Sequence, residues 1–290
     1  MADPSGTLAV AWQWQRRWSI AADKAKKTLR RWRLSALVLV LAGAVAGVGS
    51  GWFGDDGWWA AVVAVLTIGL SPWVAAQAGT SRVEDAARLR AISEELKAEI
   101  FGCLARARPY ERDDRLAVLD ERLEVLMTGH SRLHLLVSAV PIPGKPRSLP
   151  AVTNAQSYVD VRLGGQLKYY RGASFEQGRK AGRYRIAQYV LAAVAGVFAA
   201  AAAVPVTHWA SAWIGVFTTA ATAVATHAAA AHFESHTMAY DRTADELEAL
   251  RARWHEGRAG DVVLECERVL ATQNKAWFAQ WTTEGKAGAP

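Results

Sequence analysis

The chain has 290 residues, 51% of them hydrophobic and 21% charged, and its 34 basic and 27 acidic side chains give a formal charge of +7. Its mean hydropathy is near zero only because apolar and charged residues are segregated: residues 34–54, 57–81 and 186–233 carry no formal charge at all. A helix of 21 residues reaches about 31 Å, the thickness of a bilayer core, so these stretches exclude an ordinary soluble globule. They equally exclude a disordered chain, which needs low hydrophobicity.

Residues 1–33 come first as a basic amphipathic arm. Arg16, Arg17, Lys24, Lys26, Lys27, Arg30, Arg31 and Arg33 oppose only Asp3 and Asp23, which accounts for nearly all of the +7. Trp12, Trp14 and Trp18 are interleaved with these cations. Cations at a membrane surface hold anionic lipid, and cations beside aromatic faces also suit a small anionic ligand such as a nucleotide. Arg179, Lys180, Arg183 and Arg185 carry the same two readings.

The first apolar run, Leu34 to Phe53, and the second, Trp58 to Ala78, flank the turn Gly54-Asp55-Asp56-Gly57 and predict a transmembrane hairpin over 34–78. Within the first run, Gly43, Gly47 and Gly51 recur every four residues, a ridge along which helix backbones can touch. A cleaved leader is the alternative for this run, and its positive leader of over 30 residues argues against it.

Residues 79–185 read as a helical cytoplasmic region. Leu89, Ile92, Leu96 and Ile100, then Leu116, Leu119, Leu123 and Leu126, recur at helical spacing and predict helix across 82–130. Pro141 to Pro150 is a loop, and helix resumes from Gln156 to Arg185, weakened by Gly164-Gly165. The uncharged stretch that follows is too long for one span, and Pro205 divides it, so a second hairpin is expected over 186–231. Its first span holds a second small-residue ridge, Ala192, Gly196 and Ala200. Its second holds Ser211, Gly215, Thr218, Thr222 and Thr226 on one helical face. That stripe either lines a pore or bonds back to its own helix and permits close packing. Each ridge is likewise either a subunit contact or packing inside one chain. Absence of Asp, Glu, Lys and Arg from the spans argues against an ion-coupled transporter and permits a hydrophobically gated pore.

Residues 232–290 form C-terminal helices. Tyr240, Ala244, Leu247, Leu250 and Trp254 mark one face, Gly257 and Gly260 end that helix, and Asp261 caps the last one. His232 and His236 share a helix face and could hold a metal only with a third ligand such as His255, so packed histidines are the simpler expectation and no metal or cofactor is predicted. The basic segments place both termini and 79–185 in the cytoplasm and the two short turns outside. Cys103 and Cys266 are then free thiols in a reducing compartment. No phosphate-binding loop, nucleophile elbow or zinc-protease motif is present, and no enzyme is predicted. The fold class expected is an all-α membrane protein, with four spans in two antiparallel hairpins whose helices extend into a cytoplasmic domain.

The halves repeat each other. Ala44-Val45-Ala46-Gly47-Val48 returns as Ala193-Val194-Ala195-Gly196-Val197, and at the same offset Arg30-Arg31 falls on Arg179-Lys180. The order of basic helix, span, turn, span and charged helix occurs twice, an internal duplication. Tyr240-Asp241-Arg242-Thr243-Ala244, Leu247, Leu250 and Trp254, followed by Glu265, Gln273-Asn274 and Trp277, resemble the C-terminal signature of the SLATT proteins, two-transmembrane effectors associated with SMODS and SLOG systems. Gln273 stands where that signature has an acid. Glu94-Glu95-Leu96-Lys97 and Tyr158-Val159-Asp160-Val161-Arg162, through Gln166, Tyr169 and Tyr170, are similar to a second SLATT type. The resemblance implies a homo-oligomeric, pore-forming inner-membrane effector of a bacterial anti-phage system. It also implies control by a partner or by a nucleotide or oligonucleotide messenger that a partner nucleotidyltransferase makes. The same topology without conduction would serve a membrane-anchored scaffold that recruits a cytoplasmic partner.

Overall fold

A computed structural model describes residues 4–52, 58–128, 131–141, 147–207, 209–258 and 260–287. The described residues contain helices and no strand. In chain order these are α1 (Pro4–Trp52), α2 (Trp58–Gln77), α3 (Thr80–Ala105), α4 (Arg115–Thr128), α5 (Ser131–Ser138), α6 (Ala155–Tyr158), α7 (Gly164–Ala202), α8 (Ala210–Ala230), α9 (Phe233–His255) and α10 (Val262–Ala287). A π-helical turn, Val159–Leu163, joins α6 to α7, and a 3-10 turn, Pro205–Thr207, precedes α8. The expected turn at 54–57 lies outside the described residues, as does the middle of the proline-rich loop.

The helix ends are set by local chemistry. Asn154 and Ser157 form a reciprocal capping box at the start of α6. The Asp261 carboxylate accepts from the Leu264 amide at 3.0 Å and starts α10, as its position suggested. Gly257, at φ 68, ends α9: the Arg258 amide reaches the Arg253 carbonyl and the Gly257 amide the Trp254 carbonyl, a Schellman closure. The continuous helix expected over 82–130 is interrupted. Arg106, at φ 55, closes α3 in the same way, and Pro109 lies in the segment before α4. Proline offers no amide to continue the ladder. The Gly164-Gly165 pair does not break its helix, which runs from Ala155 to Ala202 through the π turn.

The chain divides into two compact units. One comprises residues 1–27, 80–173 and 239–290. Its core joins Trp12 and Trp18 of α1, Leu89, Leu96 and Ile100 of α3, Leu119, Tyr158, Leu163, Leu247, Leu250 and Cys266, all buried. Within it α3 packs most extensively against α10. The N-terminal stretch, expected as an arm, is the start of a continuous 49-residue helix whose Trp12 and Trp18 are enclosed by protein while Trp14 is exposed. Burying two indoles offers far more apolar area than leaving them at a surface.

The other unit comprises residues 28–79 and 174–238 and has the opposite distribution. Val38, Val65, Leu66, Ile186, Val190 and Val197 are exposed, while much of its interior is small: Ala46, Ala60, Ala195, Ala210 and Ala220. Trp32 meets Trp73 edge to face at 5.2 Å. A Cβ on Gly43 would lie 2.8 Å from the Thr67 hydroxyl oxygen, so α1 and α2 approach closely there. On the other pair, Phe198 of α7 packs against Phe217 of α8 at 5.2 Å. Helices over Gly6–Gly49, Ala155–Ala202 and Ala210–His255 are long and apolar enough to cross a membrane. Their most apolar windows are only 6%, 6% and 22% buried, so the surface they offer outward is apolar. The apolar stretch of α2, Trp58–Val74, is shorter.

Candidate functional site

Every member of the predicted stripe on α8 is exposed: Ser211, Gly215, Thr218, Thr222 and Thr226. Ala210, Val216, Ala220 and Val224, the face against the rest of the unit, are buried. Among the described residues the stripe therefore lies outside the packed interior of its unit. The Thr218 hydroxyl donates to the Ile214 carbonyl at 2.8 Å, which satisfies it locally and leaves its oxygen as a weak outward acceptor. The two ridges differ in use. Gly43 is spent against Thr67, whereas Gly47 has open space where a Cβ would point. The side of Gly51 lies outside what is described. Ala192, Gly196 and Ala200 are all exposed, and nothing lies within 4 Å of a Cβ built on Gly196.

The basic residues scatter. The Arg17 guanidinium reaches the carbonyls of Val137 and Val140 at 3.5 Å and lies 5.1 Å from the Trp14 ring centre, so it serves its own unit. Arg33 donates to the Ala230 carbonyl at 2.8 Å, capping the C-terminal end of α8. Lys180 pairs with Glu176 at 2.7 Å, and Arg185 pairs with Glu234. Arg16 is partly buried; Arg30, Arg31, Arg179 and Arg183 are exposed.

The signature residues come together in the first unit. Tyr240 and Leu247 are buried, and the Trp254 indole donates to Gln156 at 3.1 Å. Arg253 pairs with Glu265 at 2.9 Å. Gln273 accepts from the Thr243 hydroxyl at 3.0 Å, a bond that a neutral amide makes without a buried charge. Asn274 is partly buried, and the Trp277 side chain lies outside what is described.

The centre of this region is a buried charge cluster; the sequence marked its Glu94, Lys97, Tyr158 and Arg162 by resemblance, but neither Glu267 nor their meeting. Arg162, 2% exposed, leaves the π-helical turn to meet Glu267 of α10 by two bonds, Nε to Oε1 at 3.0 Å and Nη2 to Oε2 at 3.2 Å. Tyr158 donates to the same Oε1 at 2.7 Å. Glu94 of α3 lies 3.9 Å from Arg162 and 3.5 Å from Lys97. The Arg162 guanidinium sits 4.9 Å from the Phe101 ring centre. Burial opposes the charge on Arg162, yet Glu267, Tyr158 and Glu94 hold its pKa above the ordinary arginine range. Burial would also raise Glu94, but Lys97, Arg162 and Arg90 hold it below the usual carboxylate value. Nothing in the sequence pairs residues 105 positions apart; only the odd placement of an arginine among Tyr158, Val159 and Leu163 hints at a buried cation.

Cys103 and Cys266 are buried free thiols. Burial, then Glu267, pushes Cys266 up to about 12. His232 and His236 are neighbours at 6.1 Å between ring centres, and among the described residues no three His, Cys, Asp or Glu form a group that could hold a metal.

The described residues are thus all helical, with membrane-length apolar helices and a helical unit built round buried charges. The SMODS and SLOG-associating 2TM effector domain 1 family model matches residues 158–277. A family of proteins of unknown function, DUF4231, matches residues 16–116. The two matches divide the chain as its internal repeat does, consistent with two SLATT-like halves. No curated protein and no solved structure matches the chain significantly.

Proposed function

We propose that the protein is a homo-oligomeric effector of the bacterial inner membrane that permeabilises it under the control of a partner or a nucleotide-type signal. It has four spans in two hairpins over 34–78 and 186–231, with 1–33, 79–185 and 232–290 in the cytoplasm. The reading draws on the name of the matched domain, which is that of a two-transmembrane effector. The pairings of Trp32 with Trp73 and of Gly43 with Thr67 fit antiparallel helices in the first hairpin. The basic residues flanking the spans fit the orientation.

The observation that carries pore formation is the face of α8. Five small or hydroxyl-bearing residues are turned away from the chain's own interior, on a helix without any Asp, Glu, Lys or Arg. Lipid gives such residues no reason to share a face, whereas a ring of copies turns them toward a common axis. The open Ala192-Gly196-Ala200 ridge on α7 lets adjacent copies approach closely. An uncharged lining of this kind closes by dewetting rather than by electrostatic repulsion.

The test is release of a trapped fluorophore and single-channel current from liposomes holding the assembled protein. Permeation is expected, and Thr218→Val with Thr222→Leu reduces it while assembly persists. An assembled, activated sample that passes neither dye nor current refutes the proposal, and a stoichiometric cytoplasmic partner in such a sample supports the scaffold reading instead.

A further inference from the structure

The unit formed by 28–79 and 174–238 contains a cleft of about 420 Å3, within the ordinary range of small-molecule sites, about 300–1,000 Å3. It opens where α8 gives way to α9. His232 separates them at φ 53, a left-handed conformation that a histidine adopts infrequently. The apolar part of the wall is shallow along α7 and α8, with Ala181, Ala225 and Ala228, and deeper on α9, with Phe233 and Met238. Its charged part is an ion pair, Arg185 of α7 with Glu234 of α9, whose side chains are 56% and 62% exposed, and Gln188, His232 and Ser235 add neutral polar groups.

We propose that this cleft holds the headgroup of a phosphoethanolamine lipid of the cytoplasmic leaflet, its phosphate on Arg185 and its ammonium on Glu234. The inference rests on the membrane reading above, which puts residue 231 at the cytoplasmic boundary of the last span. The argument is one of charge matching. The cleft offers one cation and one anion that pair with each other, and a zwitterion meets both without stranding either. An anionic headgroup satisfies Arg185 but faces Glu234 with a second negative charge. A quaternary choline headgroup carries no N–H to donate to Glu234. The Arg185–Glu234 pair is solvent-exposed and therefore weakly held, so a ligand bearing the same two charges can replace it. The alanine wall then leaves room for the glycerol and first methylenes to run along α7 and α8 toward the apolar surface. A free phosphate ester shares the headgroup chemistry but makes no use of that wall.

The experiment uses the full-length protein in nanodiscs of phosphatidylethanolamine, phosphatidylglycerol and phosphatidylcholine in equal parts, with retained lipid quantified by native mass spectrometry. Several-fold enrichment of phosphatidylethanolamine is expected, lost in both Arg185→Gln and Glu234→Gln and kept in Arg251→Gln. Added soluble phosphoethanolamine is expected to leave the enrichment intact, and its displacing the lipid at equal concentration would overturn the lipid assignment. Equal retention of the three lipids overturns the proposal, as does an Arg185→Gln loss that Glu234→Gln does not share. Flotation with vesicles separates the two levels: protein that floats but retains no excess phosphatidylethanolamine refutes this site alone. Protein that fails to float refutes the membrane reading and this inference with it.

Discussion

Breaking the Arg162–Glu267 pair should loosen the helical unit by an amount that a double substitution largely restores. Arg162 is 2% exposed and the Glu267 side chain 16%, so both charges were taken largely out of water when the unit folded. Replacing Glu267 by leucine removes three hydrogen bonds, two from Arg162 and one from Tyr158, and leaves a buried guanidinium with Glu94, 3.9 Å away, as its nearest acid. Losing one partner of a buried pair costs about 3–5 kcal/mol. Arg162→Met should cost about as much, because Glu267 then keeps only the Tyr158 bond. The double variant Arg162→Met, Glu267→Leu strands no charge between the two positions, so its cost should fall well below the sum, with a coupling of about 2 kcal/mol or more. Hydrogen exchange read on peptides of α3 and α10 reports this directly as opening free energies. Additive costs, or single costs below about 1 kcal/mol, would refute the view that this pair ties α10 to the π-helical turn.

The cysteines give a second check: neither Cys103 nor Cys266 should be alkylated by a maleimide near neutral pH without denaturant, and labelling of the folded protein there would contradict their burial. Stability should also depend on pH at both ends. Glu94 is held below its ordinary value, so its contribution is present above the carboxylate range and is lost as pH falls below about 4. Cys266 is raised from 9.0 to about 12, so its contribution is full below about pH 9 and fades toward 12; Cys266→Ala should flatten that alkaline limb in a melting profile. Gly43→Val drives a side chain into Thr67 and should cost about 1–3 kcal/mol in detergent unfolding, while Gly47→Ala, with open space, should be near neutral.

Much of the architecture was readable because helical spacing and charge segregation are local signals. Leu89, Ile92, Leu96 and Ile100 marked a core face, and all four are buried. Asp261 and Gly257 marked real helix ends. The stripe on α8 could be placed on one face, but periodicity alone does not say whether a face looks inward or outward. In the fold it is Val216, Ala220 and Val224 that are buried instead. The break after Ala105 was hidden because Arg106 adopts φ 55 with no glycine to advertise it. The burial of Trp12 and Trp18 was hidden for a different reason. A tryptophan flanked by arginines looks the same in sequence whether it meets lipid or a partner helix, and here Trp12 meets Phe101 at 6.0 Å and Trp18 meets His134 at 5.3 Å. The Arg162 cluster depends on side chains from α3, the π turn and α10, and no local pattern records such a meeting.

One consequence separates ancestry from folding. The family matches assign 16–116 and 158–277 to different domains, but the core does not respect that division. Leu89, Leu96 and Ile100 of the first match share one buried cluster with Leu247, Leu250 and Cys266 of the second, and Glu94 faces Arg162 across the same boundary. A fragment of residues 147–290 would therefore expose Tyr158, Leu163, Leu247 and Leu250 and lose Glu94 beside Arg162. Burying each such side chain is worth about 1.5–3 kcal/mol, so exposing the four costs about 6–12 kcal/mol, comparable to the whole stability of a typical domain, about 5–15 kcal/mol. Expressed alone in detergent, that fragment should give little amide protection in α9 and α10, and co-expression with residues 1–146 should restore it. Full protection of α9 and α10 in the isolated fragment would mean that the C-terminal domain folds by itself and that the shared core is an accessory to it.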